Sequence, residues 1–546
     1  VERIDWGPPA ALSEPLVIAS KPVPQPAPRR RWEALGDWRL PLLLAAALCL
    51  LTLVPYLYAW LTEPHGRVFM GFFYLGDDAN TYLAKMHQGY EGKWLWQNRY
   101  TTEPSPGIFF FVFWIALGHL AKLLSLSLLA VFQLSRLAGA FALLAAAWAF
   151  IVRFVEGRGS RRWALWFMTV GLGCGYVIQA LGHPIVLGQQ TDALDWRMPE
   201  LSAFYSVLSL PHFAWVAAFQ GAAIVLTLAA AERGQLRWGL LAGLAWLAEA
   251  SIHAQMPILL WGALGVALVI RPVSPRGYLA ALLAVAIALP YVVYSYMEFR
   301  VSPEVLRWSA QWRNNLPPDA LSLSLALAPQ LILSAFALPA LIRRRSRDDV
   351  FLLAWLILLA AILWLPNPAG NLRRRFFDGI YMPLVVLAAR GMFGAIVPRL
   401  RSLRGRRLLP FAWVAVSTIG SAFLIGAPLL YAHAAEYSLS SGEYRGMAWL
   451  SAQAPGAVLS TARMGLYIPA YSADSVYVGQ YSETYNYAVK GRLAARALSG
   501  RTSAAALARS ARVNYVFWSA ESGPTPPTDL GTPAFSAPGV RIWRIS

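Results

Sequence analysis

Charge is what this chain has least of. Only 14% of its 546 residues are Asp, Glu, Lys or Arg, against about a quarter in soluble globular proteins. The mean hydropathy is +0.46, so an ordinary water-soluble enzyme is excluded. Cysteine is nearly missing. Cys49 and Cys174 both fall inside apolar runs, which leaves no disulfide framework and no cysteine metal centre. Acids are scarcer than bases, 28 against 47, for a formal net charge of +19. In a soluble chain that excess would point to nucleic acid. Here the arginines cluster in short loops between apolar runs, the pattern that marks the cytoplasmic side of membrane proteins. The charge therefore reads as topology, and no nucleic-acid partner is expected. No cleavable leader is evident, because the first apolar run starts near Leu40 and is long enough to stay in the membrane.

What is abundant is apolar sequence in runs near the roughly 20 residues that cross a bilayer. About twelve such runs can be counted, so the expected fold is an α-helical polytopic membrane protein of about 11–13 transmembrane helices with a small C-terminal α/β domain. Residues 1–39 read as a disordered, Pro-rich cytoplasmic tail, 40–432 as the transmembrane domain, and 433–546 as an extracytoplasmic domain. Arg29–Arg31 and Arg39 place the N-terminus inside, in a multi-pass protein of the plasma (inner) membrane. The loop at 63–106 then lies outside. Basic loops at 343–347 and 399–407 fix two later inside points. Reconciling them with the termini requires one segment between 107 and 181 to be broken or re-entrant. Arg136, within the run at 128–152, carries a cost of at least about 2.5–3.5 kcal/mol at bilayer depth, so it must face protein, water or a headgroup. In the tail, 457–460, 475–478 and 513–518 read as short buried strands, with helical periodicity at 443–452 and about 488–511.

The stretch that carries chemistry is Gly76-Asp77-Asp78-Ala79-Asn80-Thr81-Tyr82-Leu83-Ala84-Lys85, placed where the first helix has emerged into water. One acid of the pair could simply cap a helix, with the other favourable in its first turn. That accounts for one carboxylate only. If Asp78 opens a helix, Tyr82 and Lys85 share its face. The expected outer surface also collects His87, Arg99, Glu103, His183, Asp192, Asp195, Glu200, His212, His253 and Arg373 to Arg375. Arg373-Arg374-Arg375 is the telling cluster, because helix parity puts it outside, against the usual charge rule. A lipid phosphate would compensate it, since arginine binds phosphate bidentately. His212 and His253 could hold a phosphate or a metal, although no defined zinc spacing occurs. The acid pair could hold a divalent cation such as Mg or Mn; no cofactor is certain.

A helix followed by an outer loop opening with Asp-Asp resembles the GT-C superfamily of integral-membrane glycosyltransferases, notably the bacterial protein-mannosyltransferase and aminoarabinose-transferase branch. Glu103-Pro104-Ser105-Pro106 is similar to that family's landmark before the second helix, without the Lys often found there. Arg136 matches an Arg that commonly precedes the third. The resemblance implies transfer of a sugar, with inversion, from a polyprenyl-phosphate donor to an acceptor hydroxyl or amine on a glycan, lipid or protein at the outer face. It implies Asp77 as base or metal-associated residue and Asp78 as its partner; the residue chemistry itself puts Tyr82, Lys85, Arg99, Glu103, His212, His253 and Arg373–Arg375 around the substrates. The competing expectations are a transporter or lipid flippase, which normally shows internal repeats or broken helix pairs, and a non-catalytic envelope scaffold.

Overall fold

The computed structural model describes residues 37–311, 316–366 and 370–545. The tail assigned to 1–39 thus lies almost wholly outside the described residues. Among these, six single helices are long and apolar enough to cross a membrane: Arg39–Leu61, Leu128–Phe154, Pro211–Arg233, Pro275–Val301, Tyr381–Arg399 and Leu403–Tyr431. A bent pair, Ala320–Ala326 with Ala328–Arg344 at 86°, passes the same test together. Pro329 sits in the first turn of the second member, where its ring fixes φ and offers no N–H to continue the preceding helix. The other apolar runs form shorter helices such as Val112–Leu124 and Met256–Ile270. The protein is a multi-pass membrane protein.

The segment expected to span at 163–181 is broken. The Arg158–Val170 helix stops and a six-residue helix resumes at Gly175. Two glycines mark the break. A Cβ on Gly173 would fall 2.0 Å from the Ala326 carbonyl, and one on Gly175 would fall 1.8 Å from an Asp195 carboxylate oxygen. The backbone is pressed against its neighbours there, and Asp195 accepts the Gly175 N–H at 3.2 Å.

The Pro211–Arg233 helix is the hub, buried along most of its length between Leu128–Phe154 and Leu236–Ala250. Leu403–Tyr431 is peripheral. It buries only Pro410, Ser417, Gly420, Ser421, Leu424 and Pro428, a stripe of helical spacing, and leaves Leu403, Leu408, Phe411, Phe423 and Leu430 facing outward. Arg136 does not snorkel. It is fully buried, donating to Gln133 at 2.8 Å and to the Val207 carbonyl at 3.0 Å, with its guanidinium 4.8 Å from the Tyr56 ring. It ties the Leu128–Phe154 helix to the turn before the hub.

The C-terminal region builds a five-stranded mixed sheet in the order 475–476, 457–459, 515–519, 540–544, 535–537, parallel through the first three and antiparallel thereafter. Helices Ser441–Ser451, Ala462–Tyr471, Tyr487–Leu498 and Ala504–Ser510 connect its strands. A separate antiparallel pair, Arg67–Phe69 with Ser438–Ser440, joins the first loop to the start of this region. The Ala462–Tyr471 helix packs directly on Gly76–Tyr90. The loop bearing the acid pair is therefore held from both sides.

Candidate active site

Gly76–Tyr90 is a single helix whose cap is Leu75, in a left-handed conformation, so neither aspartate is the cap; both lie in the first turn. There the unpaired N–H groups favour negative charge. The two carboxylates diverge. Asp78 opens with Thr81, Tyr82 and Lys85 into a cavity of about 280 Å³, whereas Asp77 lines a separate cavity on the other flank of the helix. They cannot grip one ion together. Among the described residues no three His, Cys, Asp or Glu side chains converge on a point fit for a metal. The residues present do not form a divalent-cation site.

Distant segments meet around the cavity, among them the first turns of Gly76–Tyr90, the 250–255 turn, the 372–375 segment and the 481–483 turn of the C-terminal region. Its aromatic wall is Tyr82 stacked on Trp114, with centroids at 4.2 Å, and His212 edged against both. His212 is 1% exposed and neither ring nitrogen has a hydrogen-bond partner among the described residues. His253 lies beside it, rings perpendicular at 5.3 Å, with its Nδ1 on the carboxylate of Asp378.

Most of the cavity's charges are paired. Lys85 meets Glu483 at 2.6 Å with both side chains buried, Arg374 approaches Glu200 at 3.5 Å, Arg197 meets Asp192 at 2.9 Å, and His253 meets Asp378. Two remain: among the described residues, the side chains of Asp78 and Arg375 make neither an ion pair nor a hydrogen bond, yet each lies in the other's field. Burial pushes the Asp78 carboxyl above the usual carboxylate range, opposed by Arg375, Lys85 and Arg374 in that order. Burial also raises Asp77, with a further push from Asp78.

Of the residues expected around the substrates, Asp78, Tyr82, Lys85, His212, His253, Arg374 and Arg375 share this cavity. Three do not. Arg99 is turned into an ion pair with Glu91 at 2.5 Å. Glu103 is held by Lys490 at 2.7 Å. Arg373 donates to the Leu363 carbonyl at 3.2 Å. The arginine triplet lies in a 3-10 segment, Gly370–Phe377. Three residues per turn put consecutive side chains in different directions, so the cluster divides, with Arg374 and Arg375 facing in. Asp378 and Glu483 are site residues that sequence reasoning misses. Asp378 had a signal, a lone acid at the edge of an apolar run three positions after the triplet. Glu483 had none, because only the fold brings residue 483 to residue 85.

No protein-family model and no curated protein sequence matches the chain. Solved structures do. It superposes on the Archaeoglobus fulgidus oligosaccharyltransferase in complex with Zn and sulfate with TM-score 0.52 at 14% identity, covering 88% of this chain and 68% of that one. It superposes on AglB of the same organism, bound to an inhibitory peptide and a dolichol-phosphate, with TM-score 0.52 at 14% identity over 89% and 70%. Against the mycobacterial arabinofuranosyltransferase AftD the TM-score is 0.56 at 14% identity, over 93% of this chain but 40% of AftD. These neighbours are GT-C superfamily membrane glycosyltransferases, and the likeness establishes the GT-C fold for this chain.

Proposed function

We propose that this protein is a membrane glycosyltransferase that moves a sugar from a polyprenyl-phosphate donor to an acceptor hydroxyl at the outer face of the plasma membrane. The observation that carries this reading is the pair of opposite charges left over in the cavity. A transfer of this kind needs one base for the acceptor's proton and a cation for the departing phosphate. Asp78 and Arg375 supply one of each, while the neighbouring charges are satisfied by one another. The sequence expectation put the base at Asp77; the cavity-facing position favours Asp78.

In this mechanism the acceptor oxygen attacks the anomeric carbon as its proton passes to Asp78. The bond from that carbon to the phosphate oxygen breaks, and its electron pair leaves with the phosphate. Single displacement inverts the anomeric centre. Arg375 receives the growing negative charge, and His253, oriented by Asp378, stands beside it. His212 has a free ring nitrogen for a sugar hydroxyl or a phosphate oxygen. The Tyr82–Trp114 stack gives the sugar a flat apolar wall. The lipid tail would remain in the bilayer, among the exposed leucines of the surrounding helices.

The reading is tested by reconstituting the full chain in nanodiscs with radiolabelled polyprenyl-phosphate sugars and following release of polyprenyl phosphate. Sugar-dependent release that is weakened but still measurable in Arg375→Gln supports it. Movement of intact lipid-linked sugar between leaflets without cleavage would instead establish a flippase.

A further inference from the structure

The divergence of Asp77 and Asp78 leaves a second cavity without a role. It holds about 240 Å³ on the far flank of the Gly76–Tyr90 helix, and Asp77, Asn80, Tyr437 and Tyr467 line it. Glu436 also lines a larger cavity of about 560 Å³, walled by residues within 435–443, Arg463 and residues within 520–539 of the C-terminal region. The adjacent acids Asp77 and Asp78 of one helix turn thus line two different cavities.

The chemistry of this groove is one-sided. Among the described residues no Lys, Arg or His lines the part around Asp77. Asn80 is 1% exposed; its amide NH2 donates to the Gly76 carbonyl at 2.8 Å, and its Oδ1 has no partner. An unpartnered buried acceptor is costly until a donor reaches it. The Tyr467 hydroxyl lies 3.5 Å from the Glu436 carbonyl, and the Tyr437 hydroxyl is engaged by the Glu436 side chain. The groove thus offers acceptors and aromatic faces, and few free donors. In the outer part the two arginines are already tied: Arg67 to Ser438 and the Ala435 carbonyl, Arg463 to Glu443 and Glu521.

We infer that this groove holds a part of the acceptor remote from the reacting hydroxyl, and that this part is an uncharged saccharide. A polyol brings hydroxyl donors to Asn80 and Asp77 and apolar ring faces to Tyr437 and Tyr467. A phosphorylated or carboxylated acceptor meets no free cation there. An extended peptide would leave its carbonyls without donors. The inference deepens the transferase reading and rests on it.

The test is saturation-transfer NMR on the full chain in nanodiscs. The probes are neutral gluco-, manno- and arabino-tetrasaccharides, their monophosphorylated forms and a neutral Ser/Thr tetrapeptide. The inference expects a neutral saccharide to bind, Tyr467→Ala and Asp77→Asn to weaken it about tenfold, and Tyr467→Phe to retain it as the check on folding. Binding of polyprenyl phosphate, measured in parallel, stays unchanged in Tyr467→Ala. Preference for a phosphorylated probe or the peptide, a saccharide signal indifferent to Tyr467, or no saccharide signal at all overturns the inference. Loss of polyprenyl-phosphate binding in the wild type, with the saccharide signal intact, counts against the transferase reading and not against the groove.

Discussion

In the proposed mechanism Asp78 is the residue on which the chemistry turns, and its surroundings set a measurable pH dependence. A base acts only when ionised. Burial raises its pKa, so transfer should fall, as pH drops, at a higher pH than the ordinary aspartate value of about 3.9 would give. Arg375 is the largest opposing influence. Arg375→Gln should therefore shift the acid limb of kcat/KM further upward, as well as weakening polyprenyl-phosphate binding by about 10- to 100-fold for a lost charge-assisted contact. An acid limb that does not move between wild type and Arg375→Gln would separate the two residues. At this scale the sequence was partly legible. Adjacent acids after a first helix, and an arginine triplet against the charge rule, identify the groups. Which acid and which arginines face inward depends on the helical phase of one turn and the 3-10 phase of another, and neither is visible in residue types.

At the scale of elements, two glycines decide how the acid-bearing helix sits. A Cβ on Gly89 would lie 2.0 Å from the Ile115 carbonyl, and one on Gly118 would lie 1.9 Å from the Met86 carbonyl. The Gly76–Tyr90 and Val112–Leu124 helices therefore touch backbone to backbone. Gly118→Ala must push them apart and should cost about 1–3 kcal/mol, read as a lowered thermal unfolding midpoint in detergent together with reduced transfer. The second tether is Lys85–Glu483. Lys85→Met leaves a buried carboxylate alone and should cost about 3–5 kcal/mol. Adding Glu483→Gln should recover part of that loss in the same unfolding assay. If the double variant is no more stable than Lys85→Met, the pair is not coupled as described. Apolar runs and turn residues announced most of these helices. Parity required a break somewhere between 107 and 181, but its place at Gly171–Cys174 escaped, because it depends on a close approach by distant segments; the bend at Leu327 had a local signal in Pro329.

Across the whole molecule, the C-terminal domain is part of the cavity and not an appendage. Tyr481, Ser482 and Glu483 complete its wall, and the pairing of Arg67–Phe69 with Ser438–Ser440 fixes the domain to the first loop. A chain ending at residue 432 should still insert in membranes but lose transfer, even with Asp78 and Arg375 present. Adding back the separate domain should restore little, because the strand pair and the buried Lys85–Glu483 contact form between segments almost 400 residues apart. The general architecture was readable from hydropathy and from the position of the acid pair. The convergence of residues 78, 212, 253, 375 and 483 on one cavity was not, since it arises from long-range packing.

The most direct test of the central claim is the rate of sugar release in Asp78→Asn, measured beside polyprenyl-phosphate binding in the same nanodisc preparation. The account predicts binding close to that of the wild type and transfer reduced about 10²- to 10⁴-fold, the range expected for removing a general base. Transfer at the wild-type rate in that variant would contradict it.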